Sequence, residues 1–165
     1  MRTTTRVSAA LAVILSLAAS AAQAQSANIT ATAVVFQAMT VTGARTLDFG
    51  NVFPGVAKSI AVAAATSGRF DLTGQASANV NVSFTLPTNL ASGVNNLPIG
   101  TWTGCTNATN TTAGCTVFTP SAATTATAFS GAGALFVWVG GTVTPGAAQA
   151  AGTYNGTVTL TAAYF

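Results

Sequence analysis

The stretch Val80-Asn81-Val82-Ser83-Phe84-Thr85-Leu86 alternates apolar and polar side chains without a break. Successive side chains of a β-strand point to opposite faces, so this pattern places valine, phenylalanine and leucine on one face and polar side chains on the other. A second run, Thr157–Tyr164, alternates threonine with apolar residues over most of its length. Both runs are typical of strands with one buried face, and they predict an all-β fold.

Shorter runs rich in threonine and valine fill most of the remaining chain. These β-branched residues suit a pleated surface better than a helix. Gly-Gly and Pro-Gly pairs separate the runs and predict turns. Many short strands between frequent turns predict an Ig-like β-sandwich in a single domain, with residues 88–124 mainly in loops. Further strands are predicted near residues 29–41, 45–50, 57–65, 69–74, 99–103, 125–130 and 134–140.

Residues 1–24 have the pattern of a secretory signal peptide. Arg2 and Arg6 give a positive start, an apolar stretch follows, and Ala22-Gln23-Ala24 provides the small residues of a cleavage site. We therefore expect a signal-peptide helix at 1–24 and a mature chain that begins at Gln25. The alternative is a membrane anchor, but the apolar stretch is shorter than the ~20 residues that a spanning helix needs, so no membrane span is expected in the mature chain.

The composition excludes several classes of catalytic site. The chain has no histidine and no glutamate, and its only carboxylate side chains are Asp48 and Asp71. A histidine-based triad and a paired-glutamate mechanism cannot be built from these residues. Lys58 is the only lysine, so the abundant serine and threonine hydroxyls lack an obvious activating base. We expect no enzyme, and hence no catalytic residue, cofactor or metal.

Charged side chains make up only 4% of the chain, which contains 35 alanines and 29 threonines. Beyond the signal segment the basic residues are Arg45, Lys58 and Arg69, too few for a nucleic-acid surface. Arg45 and Arg69 are each placed to pair with a nearby aspartate. For Asp48, a hydrogen bond to the backbone of the turn before Gly50 is the favoured alternative.

Cys105 and Cys115 enclose a polar segment rich in threonine and asparagine. In an exported chain, two cysteines at this spacing predict a disulfide that closes a surface loop. A metal or redox role would need a third ligand or a Cys-x-x-Cys spacing.

Two blocks of sequence carry a resemblance to a known family. The first is Thr46-Leu47-Asp48-Phe49-Gly50-Asn51-Val52 followed by Pro54-Gly55. The second is Val139-Gly140-Gly141-Thr142-Val143, then Gly152-Thr153-Tyr154-Asn155-Gly156-Thr157-Val158 and an aromatic C-terminus. Together they resemble the DUF4402 family, small exported bacterial domains of unknown function.

More loosely, the chain is similar to chaperone–usher pilin subunits and to spore coat protein U-like pilins. Tyr164 is the penultimate residue and Gly152 is fourteenth from the C-terminus, as in the last strand of pilins. The similarity implies a subunit that forms a homopolymer at the bacterial surface by β-strand addition. It implies transit through the periplasm, with a periplasmic chaperone and an outer-membrane usher as partners. The C-terminal strand that flanks the acceptor groove would then contain Gly152, Val158, Leu160, Ala162 and Tyr164.

The mature N-terminus, residues 25–41, contains a candidate donor strand. Its apolar side chains are Ile29, Ala31, Ala33 and Val35, which alternate with Asn28, Thr30, Thr32 and Val34. Such a strand would pair with an open sheet edge and place its apolar side chains in pockets. The same alternation also suits a first strand that pairs within its own domain, so both readings stay open.

The alternative function is that of a monomeric, secreted binding module for a glycan or a protein. Trp102, Trp138 and the 104–116 loop are its candidate residues. Exposed aromatic rings would favour this function, and buried ones would oppose it. Residues 135–139 are apolar on both faces of their predicted strand, which indicates deep burial or an interface.

Overall fold

The computed structural model describes residues 24–165, which form two β-sheets. The predicted signal peptide lies outside the described residues, apart from Ala24. A compact unit spans Val35–Phe165, and residues 24–34 precede it as a separate segment without a strand. The strands are β1 Thr40–Arg45, β2 Lys58–Ile60, β3 Gly68–Thr73, β4 Asn79–Thr85, β5 Asn89–Ser92, β6 Asn95–Asn107, β7 Thr116–Phe118, β8 Thr125–Ala128, β9 Ala134–Val143 and β10 Thr159–Tyr164.

The larger sheet has seven antiparallel strands in the order β1-β3-β9-β6-β5. Strand β2 continues the line of β3 along β9, and β7 pairs with the far end of β6. Strand β9 is central in this sheet. Its residues 135–139 are apolar on both faces because each face is covered.

The smaller sheet has three antiparallel strands in the order β10-β4-β8. Its centre is the pair of alternating runs from the sequence: Leu160 lies opposite Phe84, and Tyr164 lies opposite Val80. The apolar positions of the two strands therefore share one face, as a side-chain period of two requires. The prediction of an all-β fold with strands at these two runs is confirmed.

The two sheets pack face to face around one main cluster of buried side chains. This cluster contains Leu72, Val80, Val82, Phe84, Phe129, Leu135, Val137, Val139 and Leu160. A second cluster lies under the other end of the large sheet, around Phe49, Leu97, Ile99 and Val143. Trp102 packs against both clusters and joins them.

The side chains of β6 that point into the core are odd-numbered in its first half and even-numbered after residue 101. Leu97 and Ile99 face the interior, but the next inward side chain is Trp102 rather than residue 101. An irregularity in the pairing with β9 between Gly100 and Thr103 accounts for the change, and Thr101 has a φ of 46° there. An extra residue in a strand shifts every later side chain to the opposite face.

The outer face of β9 is covered by the disulfide-closed loop. Cys105 is bonded to Cys115, with Cα atoms 5.8 Å apart, so the predicted disulfide is confirmed. Arg69 ties the loop down, because its guanidinium donates to Asn110 at 2.9 Å and to both oxygens of Asp71 at 2.7 and 3.0 Å. Trp138, on this face of β9, is only 3% exposed.

Several predicted strand boundaries are wrong. Residues 29–39 contain no strand, and the first strand begins at Thr40. Residues 46–50 form an irregular segment, and the predicted strand 57–65 is reduced to β2. Conversely, residues 88–124, predicted to be mainly loops apart from a strand at 99–103, contain the β5–β6 hairpin and β7, and the predicted strand lies within β6. In residues 24–165 no helix has the length and apolar character needed to cross a membrane.

Gly140→Ala is expected to destabilise the fold. The added Cβ would collide with the backbone carbonyl oxygen of Ile60 and contact Thr103. Overpacking of this kind costs about 1–3 kcal/mol. Gly131→Ala is the control, because nothing lies within 4 Å of its Cβ position, and it should stay within about 0.5 kcal/mol of the wild type. Chemical denaturation measures both; equal stability of the two variants would contradict the close packing at Gly140.

Candidate strand-accepting groove

A cavity of about 900 Å³ opens between residues 45–54 and residues 149–158. Its floor is apolar and comes from the large sheet, with side chains from β3, β5, β6 and β9. These floor residues are Phe70, Leu90, Leu97, Ile99, Val139 and Val143. The cavity is therefore bounded on its apolar side by the second core cluster, whose members Leu97, Ile99 and Val143 line it although each is at most 8% exposed.

The first wall of the cavity, residues 45–54, is held by backbone-directed hydrogen bonds. Arg45 donates to the carbonyl oxygen of Ser67 at 2.6 Å and to its hydroxyl at 2.7 Å, rather than pairing with Asp48. The Asp48 carboxylate instead accepts from the backbone N–H of Gly50 at 2.7 Å, as the sequence predicted. Gly50 has a φ of 56°, which closes the turn at a position where other residues are strained.

The second wall, residues 149–158, is held by Tyr154. Its hydroxyl donates to the carbonyl oxygen of Ala150 at 2.7 Å and accepts from the Gln149 side chain at 2.7 Å. Asn155 exchanges two backbone hydrogen bonds with Ala91 of β5, at 2.8 and 2.9 Å. This wall is therefore bonded to the large sheet, although it directly precedes β10, which belongs to the small sheet.

The residues predicted for the C-terminal strand lie in two places. Gly152 and Val158 line the cavity. Leu160 is buried in the main core, and Ala162 and Tyr164 pack against it. The segment from Gly152 to Tyr164 therefore includes both part of the cavity wall and β10.

Tyr164 fixes the far end of β10. Its hydroxyl donates to the carbonyl oxygen of Gln37 at 2.9 Å and accepts from the backbone N–H of Gln75 at 2.7 Å. Its ring stacks on Phe36, with ring centroids 5.1 Å apart. The residues just before β1 therefore lie beside the C-terminal end of β10.

One edge of β10 has no strand beside it in the part of the chain that the structure describes. Strand β10 pairs with β4 along its whole length, and no pairing is found on its other side. Strand β1 likewise pairs only with β3 among residues 24–165. Both edges present backbone N–H and C=O groups that another strand can bind.

The candidate donor residues are exposed. Ile29 is 94% and Val35 90% exposed, and Ala31 and Ala33 are also exposed. None of them belongs to a strand, so pairing of this segment within its own chain is not seen.

The aromatic residues that could line the alternative binding site, which include Phe136 and Tyr154 beside the two tryptophans, are buried or half-buried. Trp138 is buried, Trp102 packs between the two core clusters, and Phe136 and Tyr154 are half-buried. Within the 104–116 loop, the Asn107 side chain donates to the backbone carbonyls of Thr111 and Ala113. The loop's polar groups are therefore used largely to hold the loop itself.

The floor of the cavity contains residues that the sequence pattern assigned to a loop. Leu90 and Leu97 come from the β5–β6 hairpin, whereas Ile99, also in β6, falls in the predicted strand 99–103. Asn95, Asn96 and Pro98 around them are typical of turns, which hid the strand. The available signal was the two-residue spacing of Leu97 and Ile99, which is that of a strand face.

These features define a two-layer all-β domain with an open, apolar groove on one flank. Residues 39–164 match the family described as a domain of unknown function, DUF4402. Since this match spans most of the chain, the protein belongs to the DUF4402 family. Neither the curated proteins nor the solved structures include one that matches it significantly.

Tyr154→Phe is expected to loosen the second wall of the groove. The variant keeps the ring and removes a hydroxyl that makes two hydrogen bonds, so stability should fall by about 1–2 kcal/mol and backbone amides near residues 149–156 should exchange faster. Thr153→Ala, at an exposed position of the same wall, is the control and should change little. Hydrogen exchange measures both effects, and unchanged exchange in Tyr154→Phe would contradict the assigned role of the hydroxyl.

Proposed function

We propose that this protein is an exported structural subunit that assembles into a bacterial surface fibre or coat by β-strand addition. The observation that carries the proposal is the strand order. An Ig-like sandwich has strands A, B, E and D in one sheet and C, F and G in the other. Here β1-β3-β9-β6 follow the order A-B-E-D, and the paired strands β4 and β10 occupy the positions of C and F.

The strand missing from this pattern is G, which pairs with the outer edge of F. That edge corresponds to the edge of β10 that has no partner among residues 24–165. Residues 24–165 therefore follow the strand order of an Ig-like sandwich without strand G, with β2, β5, β7 and β8 as additions.

The free edges of β1 and β10 lie on the same side of the sandwich. The residues before β1 touch Tyr164 at the end of β10, through Phe36 and Gln37. At the other end, Arg45 of β1 and Val158, just before β10, line the same cavity. A strand laid between β1 and β10 would thus pair with β10 and cover the apolar floor of the groove.

Residues 25–36 have the properties of the inserted strand. They contain no charged residue and no proline. Their alternating apolar side chains, Ile29, Ala31, Ala33 and Val35, would enter the groove of the next copy, while their backbone completes the edge of β10. This segment forms no strand among the described residues, and in our proposal it becomes a strand only in the groove of a second copy.

The distribution of charge supports contact between like subunits. Within the mature chain, all charged side chains lie between Arg45 and Asp71. A nearly uncharged surface gives little repulsion between copies, which favours end-to-end assembly. An open groove also needs cover before assembly, which fits a periplasmic chaperone and an outer-membrane usher as partners.

Ile29→Asp is expected to abolish polymers. A carboxylate buried in the apolar groove of the next copy would lack a partner, and such burial is costly. The surface fraction of the native cells is run on an SDS gel, unboiled and boiled, and probed for this chain. The wild type should give an SDS-resistant ladder that collapses to a monomer band on boiling, because dissociation requires a whole strand to leave its groove.

Ser26→Asp, near the start of the same segment and outside the apolar alternation, is the control and should keep the ladder. A single monomer band in the unboiled wild type, with the protein soluble in the periplasm or the medium, would contradict assembly by strand addition. That result would favour the monomeric binding module instead.

A further inference from the structure

The outer face of the small sheet carries only short, uncharged side chains. These residues are Asn79, Asn81, Ser83 and Thr85 of β4, Ala126 and Ala128 of β8, and Thr159, Thr161 and Ala163 of β10. We propose that this face is the contact through which assembled fibres associate side by side, each face meeting the same face of a second copy. This inference rests on the proposed function and names a further partner of the polymer, another polymer of the same chain.

The register shows that the face is continuous. Thr159 lies opposite Thr85, and Thr161 lies opposite Ser83. Across β4, Asn81 lies opposite Ala126. The β8 and β10 residues of the face are all exposed, and those on the central strand are exposed or half-buried between their neighbours.

The inserted donor strand would extend this face. If Ile29, Ala31 and Ala33 enter the groove, the alternate residues point outward because side chains alternate along a strand. Those outward residues are Asn28, Thr30, Thr32 and Val34. They continue the same kind of surface beyond β10, so assembly itself enlarges the face from three strands to four.

The area explains why contact would occur between fibres rather than between single subunits. Strand β10 has 6 residues. At about 3.4 Å per residue and about 4.8 Å per strand, a four-stranded face covers about 400 Å². A stable pair of proteins buries about 800 Å² on each partner. The face of one subunit is therefore too small for a stable pair. In a fibre, however, the subunits are already linked, so each further contact adds binding free energy without a further loss of translational and rotational freedom.

The chemistry of the face favours a copy of itself as its occupant. It has no charge to attract a charged partner, and it has no large apolar side chain to fill a pocket on a different protein. Its side chains are short and alike, so two such faces can approach closely without charge repulsion.

Thr161→Lys tests the inference, with Thr116→Lys as the matched control on an exposed strand position of the other sheet. Fibres sheared from cells are separated by low-speed centrifugation and viewed by electron microscopy, and the SDS-resistant ladder is recorded for each variant. We expect bundles in the pellet for the wild type and Thr116→Lys. Thr161→Lys should keep the ladder but move at least several-fold more fibre into the supernatant as single filaments, with added salt restoring part of the bundling.

Wild-type fibres that stay single, or Thr161→Lys fibres that bundle as the control does, overturn the lateral contact and leave the proposed function standing. Absence of the ladder from the wild type overturns the proposed function and the lateral contact with it.

Discussion

The outer backbone edge of β10 is the constraint on which the rest of this account depends. In residues 24–165 this edge has no strand beside it, and the chain just before it borders an apolar cavity of about 900 Å³. Backbone N–H and C=O groups beside an apolar cavity favour the addition of a strand that pairs with the backbone and fills the cavity. The two walls of the cavity are held independently of any such strand, by Arg45 on one side and Tyr154 on the other. The groove is therefore formed in the single chain and does not need an occupant to shape it.

The scarcity of charge affects folding as well as assembly. With so few ion pairs, the structure relies on close packing of small residues. Gly140 lies directly against the backbone of β2, and the ring of Trp102 lies over Gly141. The irregularity at Thr101 is what turns Trp102 inward, where it joins the two core clusters. The disulfide and the Arg69–Asp71 ion pair stabilise the loop that covers the outer face of β9. Threonine, serine and alanine are left to form most of the surface.

Much of the fold could be predicted from the sequence because its central strands are half-buried. Val80–Leu86 alternates without a break and Thr157–Tyr164 over most of its length, and the structure pairs Thr159–Tyr164 with Val80–Thr85 in register. The disulfide and the turn at Asp48 followed equally from local chemistry. The groove was harder to predict. Its floor includes Leu90 and Leu97, which lie among asparagines and a proline that are typical of turns, and its first wall is an irregular segment rather than a strand. The candidate donor segment alternates like a strand but belongs to neither sheet. The sequence could not predict this outcome, because alternation shows which face a strand would bury and not which chain supplies its partner.

The most direct test is to offer the donor strand to an empty groove. A chain lacking residues 25–34 is labelled with ¹⁵N and titrated with a peptide of residues 25–36, and amide chemical shifts are recorded by NMR. We expect slow, saturable binding with the largest shift changes around the groove, at Gly152, Gly156, Val139 and Ile99, and along β10. Little change is expected in β7 and β8, and no binding by the same peptide carrying Ile29→Asp. Shift changes confined to other surfaces, or none at all at saturating peptide, would contradict strand addition at this groove.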